Sequence, residues 1–136
     1  MQLATKTWVV TGAGSGMGRE LTLQLLGKGV NVAGVDIHEN SLLETQRLAR
    51  VGDNRFKSYV LDIADKAKVD CLPAEVVKYF GAVDGIINNA GIIQHFKPVS
   101  ELSFEEIERV MNVNFYGTVH LTKAFQPFFY SGPRHT

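Results

Sequence analysis

Hydrophobic and polar positions follow two different rhythms along the chain. Short runs of apolar and β-branched residues, typical of buried parallel strands, occupy residues 7–11, 30–36, 56–62 and 83–89. Between these runs, apolar residues recur every three or four positions, which predicts helices over residues 16–28, 41–50 and 65–80. Strands that alternate with helices form a parallel sheet covered by helices, so the pattern predicts an α/β fold.

Two of these helices carry features that predict their orientation and ends. Met17, Leu21 and Leu25 are four residues apart and are expected to form the buried face of the first helix. Asp65 is expected to cap the third helix. Pro73 lies inside that helix, and because proline lacks a backbone N–H, we expect a kink or a late start.

A last helix is predicted to begin at Ser103, with Glu106 completing a capping box. Its apolar positions keep a roughly helical period; they are Phe104, Ile107, Met111, Phe115 and Phe125. The pattern stops at Gln126-Pro127. The sequence therefore predicts one structured unit over residues 1–125, followed by an irregular tail over residues 126–136.

Composition narrows the class of protein. The 136 residues are 45% hydrophobic and 21% charged, which is typical of a globular protein and excludes a disordered one. Lys plus Arg equals Asp plus Glu at 14 each, so no basic excess indicates nucleic acid or a membrane surface. The single cysteine, Cys71, excludes an internal disulfide framework, and the four histidines match no metal-site spacing. We expect a soluble cytoplasmic protein without a metal.

The first strand and the first helix are joined by a glycine cluster, Thr11-Gly12-Ala13-Gly14-Ser15-Gly16-Met17-Gly18. Backbone N–H groups at a helix N-terminus carry partial positive charge, so this is where a dinucleotide pyrophosphate binds. Gly12 would make the tight turn, Gly16 would allow close approach, and Gly18 would let helix and strand pack. The spacing is G-x-x-x-G-x-G rather than the general G-x-G-x-x-G. The alternative is a glycine-rich loop without a ligand.

Asp36 ends the second strand, eighteen residues after Gly18. A carboxylate there can accept hydrogen bonds from the adenosine ribose and repel a 2′-phosphate, which favours NAD over NADP. No arginine immediately follows Asp36, and His38 is too weak a cation to reverse this preference. The alternative is a solvated aspartate at the end of a strand.

A second motif, Asn88-Asn89-Ala90-Gly91, follows the fourth strand. Together with Thr11-Gly12-x-x-x-Gly16-x-Gly18, it resembles the short-chain dehydrogenase/reductase family, and the resemblance extends to about Phe125. It implies a Rossmann-type, doubly wound parallel sheet of strand order 3-2-1-4, with a nicotinamide cofactor. A turn pair after a strand is the alternative for the two asparagines.

The resemblance also implies roles for individual residues. Asp62 and Ile63 would contact the adenine, Ala90 and Gly91 would line the ribose on the nicotinamide side, and Asn88 would stabilise the central sheet. The complete set of predicted cofactor-binding residues is Thr11, Gly12, Ser15, Gly16, Met17, Gly18, Asp36, Asp62, Ile63, Asn89, Ala90 and Gly91.

Asn114 matches the helix asparagine of the family's Asn-Ser-Tyr-Lys catalytic set, which holds a water in the proton relay. The alternative is an exposed or back-bonding asparagine in a kinked helix. In the family the serine and the Tyr-x-x-x-Lys pair lie several tens of residues beyond Asn-Asn-Ala-Gly, and this sequence does not reach them. Tyr130 and Arg134 have the tyrosine–lysine spacing, but Gly132-Pro133 stands between them where a helix is needed.

These observations lead to a first hypothesis and two alternatives. The chain is expected to be the cofactor-binding half of an NAD-dependent oxidoreductase that transfers hydride between NAD and an alcohol or carbonyl, truncated and inactive by itself. The alternatives are a non-enzymatic module that binds NAD or pairs with full-length relatives, and a methyltransferase-like domain, which the Asn-Asn-Ala-Gly motif opposes. Self-association is expected through the fourth strand and the last helix.

Overall fold

The computed structural model describes residues 2–129 and forms a three-layer α/β fold. Four strands alternate with helices: β1 (Thr7–Thr11), α1 (Gly16–Gly27), β2 (Asn31–Asp36), α2 (Glu39–Ala49), β3 (Phe56–Val60), α3 (Lys66–Phe80) and β4 (Gly85–Ile87). A 3₁₀ turn (Val99–Glu101) then leads to α4 (Phe104–Met111), a π-helical segment (Asn112–Gly117) and α5 (Thr118–Phe129).

All four strands are parallel, in the order β3-β2-β1-β4. Val9 of β1 is paired with Ala33 on one side and with Ile86 on the other, which places β1 in the middle of the sheet. The predicted α/β fold and the predicted strand order are both confirmed. The sheet has the Rossmann-type arrangement, in which the chain winds outward to β3 and then returns across β1 to β4.

Adjacent residues of a strand serve opposite faces of the sheet, because side chains alternate along a strand. Val9 packs in a cluster with Leu72 and Val76 of α3 and with Leu121 of α5. Its neighbour Val10 packs on the other face with Leu26 of α1, Leu42 of α2 and Phe56 of β3. Each face of the sheet is therefore covered by a pair of helices.

The buried face of α1 differs from the prediction. Met17 is 77% exposed and Leu21 is 37% exposed, whereas Gly18, Thr22 and Leu26 are buried. The helix is rotated by one residue from the predicted face because Gly18 lies directly against the backbone of Gly12. Close backbone packing at Gly18, rather than the apolar spacing, determines the rotation of this helix.

Pro73 does not delay α3, which begins at Lys66 and continues through the proline to Phe80. Val69, Leu72, Pro73 and Val76 are all buried, and each buried apolar side chain contributes roughly 1.5–3 kcal/mol. That burial offsets the lost hydrogen bond, which costs about 3 kcal/mol. As predicted, the Asp65 carboxylate caps the helix by accepting a hydrogen bond from the N–H of Lys68.

The last predicted helix is divided by the π-helical segment, and it does not stop at Gln126-Pro127 but continues to Phe129. Ser103 caps α4 as predicted, since its hydroxyl accepts from the N–H of Glu106. The Glu106 carboxylate does not complete the capping box; it contacts His95 instead. Tyr130 and Arg134 lie outside the described residues.

α4 is amphipathic but contains no buried residue. Its apolar side, continued into the π-helical segment, is exposed at Phe104 (82%), Ile107 (36%), Met111 (46%) and Phe115 (53%). β4 is paired with β1 and forms one edge of the sheet described here. These two features are the surfaces from which self-association is expected.

Candidate functional site

A cleft of about 280 Å³ opens at the carboxyl ends of the strands. It lies where the strand order reverses, between the β1–β2 side and β4, which is the position at which open α/β sheets bind ligands. The cleft is lined by Gly12, Ser15, Val35, Asp36, Ile37, His38, Leu61, Asp62, Ile63, Asn89, Ala90, Gly91, Ile92, Arg109 and Val113.

The predicted cofactor-binding residues occupy three positions relative to this cleft. Those on its wall are Gly12, Ser15, Asp36, Asp62, Ile63, Asn89, Ala90 and Gly91. Thr11 and Gly18 are buried, and Gly16 and Met17 are exposed at the start of α1. All twelve therefore belong to the carboxyl end of the sheet or to the first turn of α1.

The glycines of the loop meet different steric demands. Gly12 has φ +69°, and a Cβ there would lie 2.8 Å from the side-chain nitrogen of Asn89. A Cβ on Gly18 would lie 2.0 Å from the carbonyl oxygen of Gly12, so no side chain fits. Gly16 has φ +54°, yet a Cβ there would meet nothing within 4 Å. Packing requires glycine at positions 12 and 18, whereas position 16 combines a left-handed backbone with open space.

The first turn of α1 presents unused donors beside this open space. Helix hydrogen bonding begins with the N–H of Arg19, which donates to the carbonyl of Ser15 at 3.1 Å. The N–H groups before it have no intrahelical acceptor, as at any helix start. Ser15 is the N-cap residue, but its hydroxyl makes no capping hydrogen bond and is exposed at the cleft. Such a cluster of backbone donors suits an anionic group.

Asp36 connects the end of β2 to the glycine loop. Its Oδ2 accepts from the N–H of Gly14 at 2.9 Å, and its Oδ1 accepts from the N–H of His38 at 3.0 Å. Two backbone donors thus orient the carboxylate, and its remaining lone pairs can accept further hydrogen bonds. Asp36 is partly exposed at the end of β2, as the alternative of a solvated aspartate at a strand end supposes, and its carboxylate is also held by these two backbone donors.

The Asn-Asn-Ala-Gly motif is tied to β1 through Thr11. The buried Thr11 hydroxyl accepts from the N–H groups of Asn89 and Ala90, at 3.0 and 2.9 Å. The side chain of Asn89 donates back to the carbonyl of Thr11 at 3.2 Å. Asn88 reaches the other way, donating to the Thr122 hydroxyl of α5 at 3.1 Å. The two asparagines are therefore more than a turn pair, because they join β4 to β1 and to α5.

Asp62 forms an ion pair across the cleft wall. Its Oδ1 accepts from the N–H of Ala64 at 2.9 Å, and its Oδ2 lies 2.8 Å from Nη1 of Arg109 on α4. Ile63, the next residue, is buried in the core. The side chains are 30% and 44% exposed, so water weakens the Asp62–Arg109 attraction, but the pair still links α4 to the end of β3.

Asn114 lies in the π-helical segment and binds the backbone that follows the Asn-Asn-Ala-Gly motif. Its Oδ1 accepts from the N–H of Ile92 at 2.8 Å, and its Nδ2 donates to the carbonyl of Ile92 at 2.7 Å. The alternative was an exposed or back-bonding asparagine in a kinked helix: the side chain is bonded to Ile92 rather than back to its own helix, but the residue is exposed and lies in the π-helical segment. Its neighbour Val113 and its partner Ile92 both line the cleft, so Asn114 fixes the backbone of a residue in the cleft wall.

Besides the exposed Glu44–Arg47 pair, two ionisable groups outside the cleft have shifted pKa values. Hydrogen bonding to His95 holds the pKa of the Glu106 carboxyl below its usual range, and Lys97 adds a weaker attraction at 3.9 Å. Burial raises the pKa of Tyr59 to about 12, with a further contribution from Glu75. The Tyr59 hydroxyl finds no hydrogen-bond partner within residues 2–129.

No cluster of three or more metal-binding side chains occurs within residues 2–129, and no helix in that range is long and apolar enough to cross a membrane.

A model of the short chain dehydrogenase family matches residues 6–134 of the chain. The chain belongs to this family. The resemblance inferred from the two motifs is confirmed, and the match extends into residues 126–134, beyond the predicted limit near Phe125.

Relatives of this short-chain dehydrogenase chain are considerably longer than it is. A Mycobacterium tuberculosis protein named as an oxidoreductase, SadH, is 42% identical over 122 residues, which are 90% of this chain and 44% of that protein. A xylitol dehydrogenase solved with NAD⁺ has a TM-score of 0.87 and 30% identity, covering 94% of this chain and 49% of that one. A short-chain dehydrogenase/reductase from Burkholderia phymatum, solved with NAD, has a TM-score of 0.87 and 28% identity, covering 94% and 45%. The chain spans about half the length of these relatives.

Several residues that shape the site of this short-chain dehydrogenase chain were not predicted from the sequence. Arg109 and Val113 come from α4 and the π-helical segment, far along the sequence from the cleft's other walls, and no local pattern marks them. Arg19 and Thr45 hold the glycine loop from behind. Only Arg19 carries a signal, because it directly follows the last glycine of the motif.

Proposed function

We propose that the cleft binds NAD and that this chain supplies the dinucleotide-binding half of an oxidoreductase. The reaction would be hydride transfer between NAD and an alcohol or carbonyl compound. Family membership supports the class of reaction. Two relatives of known structure, at 30% and 28% identity, were solved with NAD⁺ or NAD.

The residues present fit a dinucleotide. Gly16 leaves space where a side chain would stand, and the first turn of α1 offers free N–H groups to a pyrophosphate. The exposed hydroxyl of Ser15 adds a further donor at the cleft. Apolar side chains of Val35, Leu61 and Ile63 offer a surface for a flat base between them.

The observation that carries the choice of cofactor is the placement of Asp36. Its carboxylate lines the cleft and is oriented by the N–H groups of Gly14 and His38. A carboxylate accepts hydrogen bonds but donates none, so it suits the two hydroxyls of an unmodified ribose. A 2′-phosphate would bring a second negative charge against it, and like charges disfavour binding. These arguments support NAD over NADP.

The remaining cofactor-binding residues would contact the adenine and the ribose on the nicotinamide side. Asp62 and Ile63 would receive the adenine, while Ala90 and Gly91 would border the ribose on the nicotinamide side. Asn114 would hold the cleft wall through Ile92, and in the family its position belongs to the proton relay. When bound, the cofactor would accept hydride from the alcohol or, in its reduced form, donate hydride to the carbonyl.

Isothermal titration calorimetry with NAD, NADP and ADP tests this assignment. We expect NAD to bind more tightly than NADP. In Asp36→Asn we expect NAD affinity to fall about tenfold, the equivalent of one charge-assisted hydrogen bond, and the preference over NADP to shrink. Asp70→Asn, on the exposed side of α3, is the matched control and should bind like the wild type. Equal or tighter NADP binding by the wild type would overturn the role of Asp36.

Binding by this chain is expected without turnover. The 136 residues contain no Tyr-x-x-x-Lys sequence, and without a positioned general acid the carbonyl oxygen receives no proton, a contribution of about a hundredfold to ten-thousandfold. The test monitors NADH absorbance over a panel of secondary alcohols, sugars and steroids. Stoichiometric turnover that disappears in Tyr130→Phe would contradict the expectation and assign the proton transfer to Tyr130.

A further inference from the structure

The glycine loop is held from behind by two side chains that the proposed cofactor contacts do not include. The hydroxyl of Thr45, a fully buried residue of α2, donates to the carbonyl of Ala13 at 2.8 Å. The Arg19 guanidinium donates through Nη2 to the carbonyl of Gly14 at 2.5 Å. Consecutive carbonyls of the loop are therefore anchored on the side of α2.

The two anchors are themselves connected. Nε of Arg19 donates to the hydroxyl of Thr45 at 3.0 Å, and Nη2 also lies 3.2 Å from the carbonyl of Ser41. All three acceptors are uncharged oxygens, so the guanidinium serves here as a rigid fork of donors rather than as half of an ion pair. A lysine could not reproduce this fork, because its single ammonium cannot span the three acceptors with the same geometry.

Peptide planarity makes these anchors matter for the cleft. In a trans peptide the carbonyl of one residue and the N–H of the next lie in one plane and point in opposite directions. Thr45 binds the carbonyl of the peptide between Ala13 and Gly14. The N–H of the same peptide belongs to Gly14, and it donates to Asp36 at 2.9 Å. Arg19 binds the carbonyl of the peptide between Gly14 and Ser15. The N–H of that peptide belongs to Ser15 and points away from α2, and Ser15 lines the cleft.

We infer that Arg19 and Thr45 are positioning residues for dinucleotide binding, each acting through one peptide plane of the glycine loop. Arg19 orients the Ser15 N–H for the pyrophosphate, and Thr45 orients the Gly14 N–H that fixes the Asp36 carboxylate. The inference rests on the proposed function. It assigns one peptide of the glycine loop to the affinity for any dinucleotide and the other to the preference for NAD over NADP. Arg19 acts on the part that NAD and NADP share, whereas Thr45 acts on the part that distinguishes them.

Calorimetric titration of NAD and NADP into four variants tests the division. In Arg19→Lys we expect affinity for both dinucleotides to fall by a similar factor, about tenfold for the loss of a charge-assisted hydrogen bond, with their ratio kept. In Thr45→Val, which keeps the shape but loses the hydroxyl, we expect the NAD-to-NADP affinity ratio to shrink. Thr45→Ser, which keeps the hydroxyl, should restore the ratio. Arg47→Lys, on the exposed side of α2, should leave both affinities unchanged.

Amide ¹H–¹⁵N spectra of the ligand-free protein provide a readout that needs no cofactor. Among the amide resonances of the glycine loop, Arg19→Lys should shift that of Ser15 most and Thr45→Val should shift that of Gly14 most. Arg47→Lys should shift neither. Wild-type NAD and NADP affinities in both Arg19→Lys and Thr45→Val would overturn the inference. Failure of the wild type to bind NAD would overturn the proposed function, while the amide shifts would still decide whether the two side chains orient the loop.

Discussion

The substitution Gly16→Ala tests whether a glycine of the loop is required for binding NAD rather than for folding. Gly16 begins α1 with φ +54°, in the left-handed region that glycine tolerates and other residues disfavour. An added Cβ would meet no atom within 4 Å, so the substitution creates no clash with the protein. Its methyl group would instead occupy the open space in front of the first helical turn.

The expected cost to stability is small and comes from the backbone alone. Holding alanine in the left-handed region costs about 1–2 kcal/mol. In a domain of this size, 1 kcal/mol lowers Tm by about 4 °C. The affinity for NAD should also fall, by more than about tenfold, because the methyl group blocks the close approach of phosphate to backbone N–H groups.

Two other glycines of α1 provide matched comparisons. Gly18→Ala places a Cβ 2.0 Å from the carbonyl oxygen of Gly12 and 2.5 Å from the side-chain nitrogen of Asn89, so helix and strand must separate. We expect a loss of about 3 kcal/mol or more. Gly27→Ala, at the other end of the helix, meets nothing within 4 Å and should stabilise by about 0.5–1 kcal/mol.

Thermal unfolding followed by circular dichroism and NAD titration of the same samples measure the two effects separately. The expected order of Tm is Gly27→Ala, wild type, Gly16→Ala and then Gly18→Ala. Wild-type affinity for NAD in Gly16→Ala would refute the argument that this glycine admits the pyrophosphate. A wild-type Tm in Gly18→Ala would refute the argument that backbone contact sets the rotation of α1.

Three further predictions concern surfaces and groups outside the cleft. Tyr59→Phe should raise stability by about 1 kcal/mol, because it removes a buried hydroxyl that has no partner among residues 2–129; an unchanged or lower Tm would contradict this. The pKa of Glu106 is lowered mainly by its hydrogen bond to His95, so its stabilising contribution is present above the usual glutamate pKa of about 4.3 and is lost as pH falls through the lowered value. The Tm difference between wild type and Glu106→Gln should therefore begin to shrink as pH falls below about 4.3 and disappear only below the lowered pKa, and a difference that stays constant down to about pH 2 would count against it. Met111→Lys, on the exposed apolar side of α4, should reduce self-association in sedimentation velocity, whereas a wild-type protein that is monomeric at all concentrations would rule this interface out.

The arrangement of strands and helices could be predicted from the sequence because it depends on local patterns. Apolar runs such as residues 30–36 and the helical periods between them are written in consecutive residues. The glycine motif and Asp36 are likewise local, and parallel strands bring their carboxyl ends to one edge of the sheet. Strand order and the group of residues around the cleft followed from these features together with the family resemblance.

What only the tertiary structure decided involves contacts between distant residues. Apolar spacing predicted Met17 and Leu21 on the buried face of α1, but backbone packing at Gly18 rotates the helix by one residue. Because of Pro73 we expected a kink or a late start of α3, but the helix begins at Lys66, since burial of its apolar side offsets the hydrogen bond lost at the proline. The rotation of α1 and the continuity of α3 both depend on which residues pack against the helix in the core. The apolar period of a helix does not specify those residues.

The same limit applies within the site. Asn114 is 22 residues from Ile92, whose backbone it binds, and Arg109 is 47 residues from Asp62. Thr45 reaches the carbonyl of Ala13 across 32 residues. The sequence by itself determined which backbone groups and carboxylates meet at the end of the sheet, because strand ends and motifs are local. Their orientation was decided by the tertiary structure, because several of them are held by side chains that folding brings from helices, such as Arg109 on Asp62 and Thr45 on Ala13.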